Sequence, residues 1–155
     1  MTPKPIFSPE AKARAARLMA EIAEERDGIA TEPPVDVGAR AASFDPAGCF
    51  LAEADGEVIG SLSVAVSRFG FGDLGMAVVR PWRGCGVGSA LMDAGIQWSR
   101  EQGVHKLGLS VFPHNAAAVA LYRKFGFVEE GRRVKHYRRA SGEFWDSIEM
   151  GLFLE

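Results

Sequence analysis

The stretch LGMAVVRPWRGCGVGSALM, residues 74–92, constrains this chain more than any other. A short apolar run ends at Arg80 and Pro81, and glycines follow at alternate positions, Gly84, Gly86 and Gly88. From there apolar residues recur at helical spacing, with Val87, Leu91, Ala94 and Trp98 on one face and Gly103 as a stop. The pattern predicts a strand, a tight loop and a helix. Such a unit aims a helix N-terminus, with its unpartnered N–H groups and positive dipole end, at whatever lies beyond the strand. An anion such as phosphate is the natural ligand. The three glycines let the backbone come close to it, and Arg83 adds a charged donor at the entrance.

Spacing removes two phosphate motifs. A dinucleotide fingerprint counted from Gly84 needs glycine at position 89, where Ser89 stands, and KLGLSVF lacks the acidic residue that would hold a ribose. A P-loop from Gly84 needs Gly-Lys-Ser/Thr at positions 89–91, where the chain has Ser-Ala-Leu. Charge agrees with an anion near the loop: residues 1–79 hold 7 Lys/Arg against 12 Asp/Glu, and residues 80–155 hold 11 against 8.

Around the loop, the chain of 155 residues reads as one domain. Ser8 and Pro9 start a helix that Gly28 can close, and residues 29–47 form a turn-rich connection with room for a short helix. Asp55-Gly56 marks a hairpin turn. Val58, Leu62, Val64 and Val66 then put one face of a strand toward a core. FGFGD breaks the chain before the third strand. KLGLSVF is a strand, NAAAVALYRKFG a helix capped by Asn115 and ended by Gly126, and Phe127–Glu155 supplies two more strands around RRASGEF. The expected fold class is α/β: a central mixed sheet with helices on both faces. Two cysteines, Cys49 and Cys85, make no disulfide framework or metal spacing. Neither a signal peptide nor a membrane-spanning run is apparent, so a cytoplasmic setting is expected.

VVRPWRGCGVGSALM resembles the acetyl-CoA-binding motif of the GCN5-related N-acetyltransferase (GNAT) family, Gln/Arg-x-x-Gly-x-Gly/Ala, with Arg83, Gly86 and Gly88 in place. SVFPHNAAAVALYRKFGFVEEG resembles its second motif, ADGEVIGSLSV its hairpin and WDSIEMGLFL its last strand. The resemblance covers about residues 47–155, leaving residues 1–46 for N-terminal helices and the acceptor-side loop. It implies a largely antiparallel twisted sheet and acetyl transfer from acetyl-CoA to an amine in a ternary complex, with no metal. The amides of Val87, Gly88 and Ser89, with Arg83, Gly84, Cys85 and Gly86, would hold the pyrophosphate. The main chain of Met76, Ala77 and Val78 would hold the pantetheine arm and polarise the thioester carbonyl. Asn115 and Ala118 would contact the arm, and Tyr122 would protonate the departing thiolate. Independently of the resemblance, Asn115 and Tyr122 lie seven residues apart, on one helix face.

Glu32, Glu53 and Asp73 are candidates to take the amine's proton, and Glu32, in the loop after the first helix, is favoured because this family commonly builds its acceptor pocket there. The expected partner is a small-molecule or peptide amine, with no nucleic acid or membrane and a homodimer possible. A non-catalytic acyl-CoA-binding module on the same fold is the alternative function, and a nucleotide-binding module a third. GRRVKHYRRASG concentrates Arg132, Arg133, Lys135, Arg138 and Arg139 around His136; a solvated strand near a turn is the expectation there. Trp98 fits a core position, Trp82 packs the loop, and His105 and His114 have no partner at metal spacing.

Overall fold

The computed structural model describes residues 2–5, 9–43 and 48–154. In chain order the elements are β1 (Lys4–Pro5), α1 (Pro9–Ala23), α2 (Val37–Ser43), β2 (Cys49–Ala54), β3 (Glu57–Val66), β4 (Phe71–Val78), α3 (Val87–Glu101), β5 (Lys106–Val111), α4 (Ala116–Lys124), β6 (Val128–Arg138) and β7 (Phe144–Phe153), with a 3-10 turn at Arg80–Trp82 between β4 and α3. The strands form one seven-stranded sheet in the order β1-β2-β3-β4-β5-β7-β6. Every pairing is antiparallel except β4 with β5. This is the mixed, largely antiparallel α/β arrangement expected.

Local chemistry accounts for most boundaries. Asp55 and Gly56 both take positive φ, 51° and 78°, matching the twist of the β2–β3 hairpin. The Asp36 carboxylate accepts the Ala39 N–H at 3.0 Å and starts α2. Gly103 and Gly126, with φ of 76° and 100°, stand just beyond α3 and α4. The Ser8 cap expected for α1 lies outside the described residues. Its other end differs from expectation: α1 stops at Ala23, because the N–H groups of Glu25 and Arg26 turn back to Ile22 and Ala23 and Arg26 takes a φ of 55°. Gly28 instead reaches the cleft described below. FGFGD is also not wholly a break, since β4 begins at Phe71.

The core lies between the sheet and its helices. Leu91, Met92 and Ile96 of α3 pack with Phe50, Leu62 and Val64, and burying each such side chain stabilises the fold by about 1.5–3 kcal/mol. A Cβ on Gly95 would stand 2.5 Å from Leu62, so glycine sets how closely α3 approaches β3. On the other face Ala15 of α1 packs on Cys49 and Leu51. Val66, expected to face the core, is exposed at the strand's end. At the sheet edge β6 is bulged twice and carries the exposed Arg132, Arg133, Lys135 and Arg138, which discourage pairing with another strand. The solvated reading of that run fails at one residue: Arg139 is only 4% exposed.

Candidate active site

The sheet comes apart in its middle. β4 and β5 pair only over Phe71–Asp73 with Lys106–Gly108, after which Leu74–Val78 and Leu109–Val111 diverge. Each strand keeps its outer partner, β4 with β3 as far as Val78 and β5 with β7 as far as Val111. Antiparallel alternation decides which peptide groups are left facing the wedge. The Val79 N–H bonds to Ile59 O, so Ala77 and Gly75, in the same phase, turn their peptide groups toward β3. Leu74, Met76 and Val78 turn theirs into the wedge. Likewise Leu154 N–H bonds to His105 O, which leaves Ser110 facing the wedge from β5.

The glycine loop closes one end of the wedge. Gly86 is the N-cap of α3 with φ 86° and provides no side-chain cap. The first intrahelical bond is Ala90 N–H to Gly86 O at 3.1 Å, so the amides of Val87, Gly88 and Ser89 have no partner in the helix. The glycines are there for different reasons. Gly84 and Gly86 have positive φ and open space where a Cβ would stand, whereas a Cβ on Gly88 would lie 2.9 Å from Leu121 Cδ2 on α4. Gly86→Ala is therefore expected to lower stability by about 1–2 kcal/mol through backbone strain, read by thermal unfolding. Gly88→Val should press on Leu121, disturb the packing of α3 against α4 and lower Tm in thermal unfolding. Val87's side chain is buried, leaving only its amide for a ligand, and Cys85 is exposed with Sγ 3.7 Å from Arg83 O.

Arg83 is not extended toward a ligand. Its Nε donates to Val78 O at 2.9 Å, and its terminal nitrogens donate to the Glu25 carboxylate at 2.8 and 3.0 Å. Arg80 adds a third bond to Glu25 at 3.0 Å. Burial alone would push the Glu25 carboxyl up, but the hydrogen bonds and charges of Arg83 and Arg80 prevail and hold it below the ordinary carboxylate value.

On the far side α4 presents its N-terminal half. Asn115 Oδ1 accepts the Ala118 N–H at 3.3 Å, so the residue caps the helix as expected while also lining the cleft. Tyr122 is buried, its ring 5.9 Å from that of Phe127, and it too lines the cleft. Burial alone pushes its phenol up to about 12. Together the wedge, glycine loop and α4 bound a cleft of about 910 Å³, which extends to Asp27–Thr31 and Arg40. Met76, Ala77, Val78, Arg83, Gly84, Gly86, Gly88, Ser89, Asn115, Ala118 and Tyr122 all line it.

The proposed proton acceptors are not among the lining residues. The Glu32 carboxylate accepts the Ala140 N–H at 3.1 Å from both oxygens and lies 3.5 Å from Arg139 Nε. Glu53 is paired with Arg14 at 2.8 Å and Lys4 at 3.7 Å, and Asp73 stands exposed where β4 and β5 last pair. Sequence reasoning also missed what organises the far end of the cleft. Arg139 donates to Ala30 O at 2.9 Å and Ile29 O at 3.3 Å, with its guanidinium 4.4 Å from the Trp145 ring centre. His114 lies 2.9 Å from Asp27 Oδ1 and stacks on Phe112. The partners are up to 110 residues apart, so local spacing held no sign of them.

The model of the Acetyltransferase (GNAT) family matches residues 15–127. The chain is 38% identical over 104 residues to the L-amino acid N-acetyltransferase AaaT of Escherichia coli, an overlap of 62% of each protein. It is 43% identical over 86 residues to mycothiol acetyltransferase of Streptomyces avermitilis, 54% of this chain and 28% of that one. The chain thus spans less than two thirds of the length of either relative. The solved structure of yncA from Salmonella typhimurium, with its cofactor acetyl-CoA, shares the fold at a TM-score of 0.87 and 20% identity, covering 99% of this chain and 94% of that one.

Proposed function

Since this chain belongs to the acetyltransferase (GNAT) family, we propose that it transfers acetyl from acetyl-CoA directly to a primary amine of a small molecule or peptide, within a ternary complex. The observation that carries the reading is the wedge itself, which places free main-chain groups, unpartnered helix amides and Tyr122 around one cleft. The residues fit the donor. An anionic diphosphate suits the amides of Val87, Gly88 and Ser89, and the loop Gly84–Gly86 brings backbone close to it. Arg83 contributes charge at the loop's base while Glu25 and Val78 O hold it there. A slender amide-bearing arm suits the wedge, beside Asn115 and Ala118.

The donor supplies an activated acyl group as a thioester. The Met76 or Val78 amide, facing the wedge, would donate to its carbonyl oxygen; Ala77 is in the other phase and turns to Ser61. One such donor is worth about 3–4 kcal/mol of barrier reduction. Tyr122 holds a proton for the leaving sulfur, since burial keeps its phenol protonated well above neutral pH. Glu32 secures the acceptor-side loop through Ala140 and Arg139 rather than acting on the amine. The relatives that act on amino acids and mycothiol make a small-molecule acceptor the first class to try.

Thiol release from acetyl-CoA with a panel of amines, amino acids included, tests the proposal. Turnover with at least one amine is expected, and tight CoA binding without release for any of them overturns it. A phenol at about 12 also predicts no alkaline loss of rate from Tyr122 below about pH 11. The linked stability has a definite sign. Above about pH 10 the unfolded chain's phenol releases its proton while the folded one keeps it, so this contribution is lost between about pH 10 and 12. Denaturant unfolding across that range, compared with Tyr122→Phe, reads the difference.

A further inference from the structure

We infer that Ser110 and Glu149 form the path by which the acceptor amine loses its proton, an inference that rests on the acetyl-transfer reading above. Ser110 lines the cleft, and its peptide groups face the wedge from β5. Ser110 stands two residues beyond Gly108, on the stretch of β5 that has parted from β4. Its hydroxyl donates to Glu149 Oε2 at 2.6 Å, and the Ser147 hydroxyl, also in the cleft lining, donates to Oε1 at 2.9 Å. The carboxylate is thus held in place by two hydroxyls that reach the cleft, which it does not itself line.

Because Ser110 spends its proton on Glu149, its lone pairs remain to accept from a substrate ammonium. In the step, an N–H bond of the ammonium breaks and its proton passes to Ser110 Oγ. The Ser110 proton moves to Glu149 Oε2, leaving the neutral amine with its electron pair and the carboxyl to release the proton to water. Ser110 is the catalytic group and Glu149 acts through it. The charged groups on this face are few. Arg133 of β6 lies 3.5 Å from Glu149 Oε1 with His136 beyond it, Lys106 of β5 is paired with Glu130 of β6 at 2.8 Å, and Asp73 stands on β4.

The test compares wild type, Glu149→Gln, Ser110→Ala and Ser110→Thr, with thermal unfolding to confirm the fold and calorimetry with CoA to confirm donor binding. At neutral pH with a strongly basic amine, Glu149→Gln and Ser110→Ala are expected to lower kcat by about 10²-fold or more, while Ser110→Thr, which keeps the hydroxyl, retains most of it. The deficit should shrink as pH approaches the amine's own pKa, and be small for a weakly basic amine already neutral in the assay. Active wild type with unaffected variants, or with a deficit equal at every pH and for every amine, overturns the relay alone. Wild type that releases no thiol with any amine overturns the acetyl-transfer reading, and the relay with it.

Discussion

Tyr122→Phe is expected to lower turnover by about 10²–10⁴-fold while leaving CoA affinity nearly unchanged. The substitution keeps the ring that packs 5.9 Å from Phe127 and removes only the hydroxyl. The other groups proposed to bind the donor are the α3 amides, the wedge-facing peptides of Met76 and Val78, and Asn115 and Ala118 in the first turn of α4, and the substitution leaves them all intact. The loss should therefore fall on kcat, measured with saturating acetyl-CoA and the best amine from the panel. Acceptors whose reaction is limited by thiolate departure will show it most strongly. Turnover equal to wild type would remove the general-acid role.

Arg139→Ala should cause the largest loss of stability. The residue is 4% exposed, and its guanidinium donates to Ala30 O and Ile29 O, lies 3.5 Å from Glu32 and packs over Trp145 and Phe112. Truncation leaves two carbonyls without their donor and the Glu32 carboxylate without its nearest cation, and removes the packing as well, a loss of about 2–4 kcal/mol. For a chain of this length that lowers Tm by about 5–15 °C. Lysine should not rescue it, since a single ammonium cannot span both carbonyls and still stack on the indole. The segment released, Ile29–Glu32, borders the cleft, so KM for the acceptor should rise more than KM for acetyl-CoA.

Those two residues also show what could be read from sequence. Tyr122 belongs to a helix whose cap, face and stop are all local: Asn115, the seven-residue spacing from it to Tyr122, and Gly126. The glycine loop was legible for the same reason, since alternate glycines between an apolar run and a helical pattern define a geometry without reference to the rest of the chain. Arg139 was not. It sits in a run of basic residues, and its burial depends on Ala30, Glu32 and Trp145 arriving from elsewhere. Arg83 was half legible. Its place in the loop was clear, but its pairing with Glu25 depends on α1 ending early, at Ala23, and on two arginines to hold the carboxylate. Glu149 carries no local signal either; only the cross-strand register with Ser110 brings it within reach of a hydroxyl that lines the cleft.

The short parallel pairing of β4 with β5 has a mechanical consequence. Three residue pairs join the two blades of the sheet, and everything beyond them is a lever. The free arm of β4, Leu74–Val78, extends about 17 Å at 3.3 Å per residue, so turning one blade by about 5° moves its tip by roughly 1.5 Å. That exceeds the misplacement of about 1 Å that can slow a reaction about a hundredfold. The pivot is stiff: a Cβ on Gly72 would meet Val64 Cγ1 at 2.9 Å and Leu107 Cδ2 at 3.0 Å. The gape of the wedge is thus set at its closed end, by side chains that touch neither donor nor acceptor.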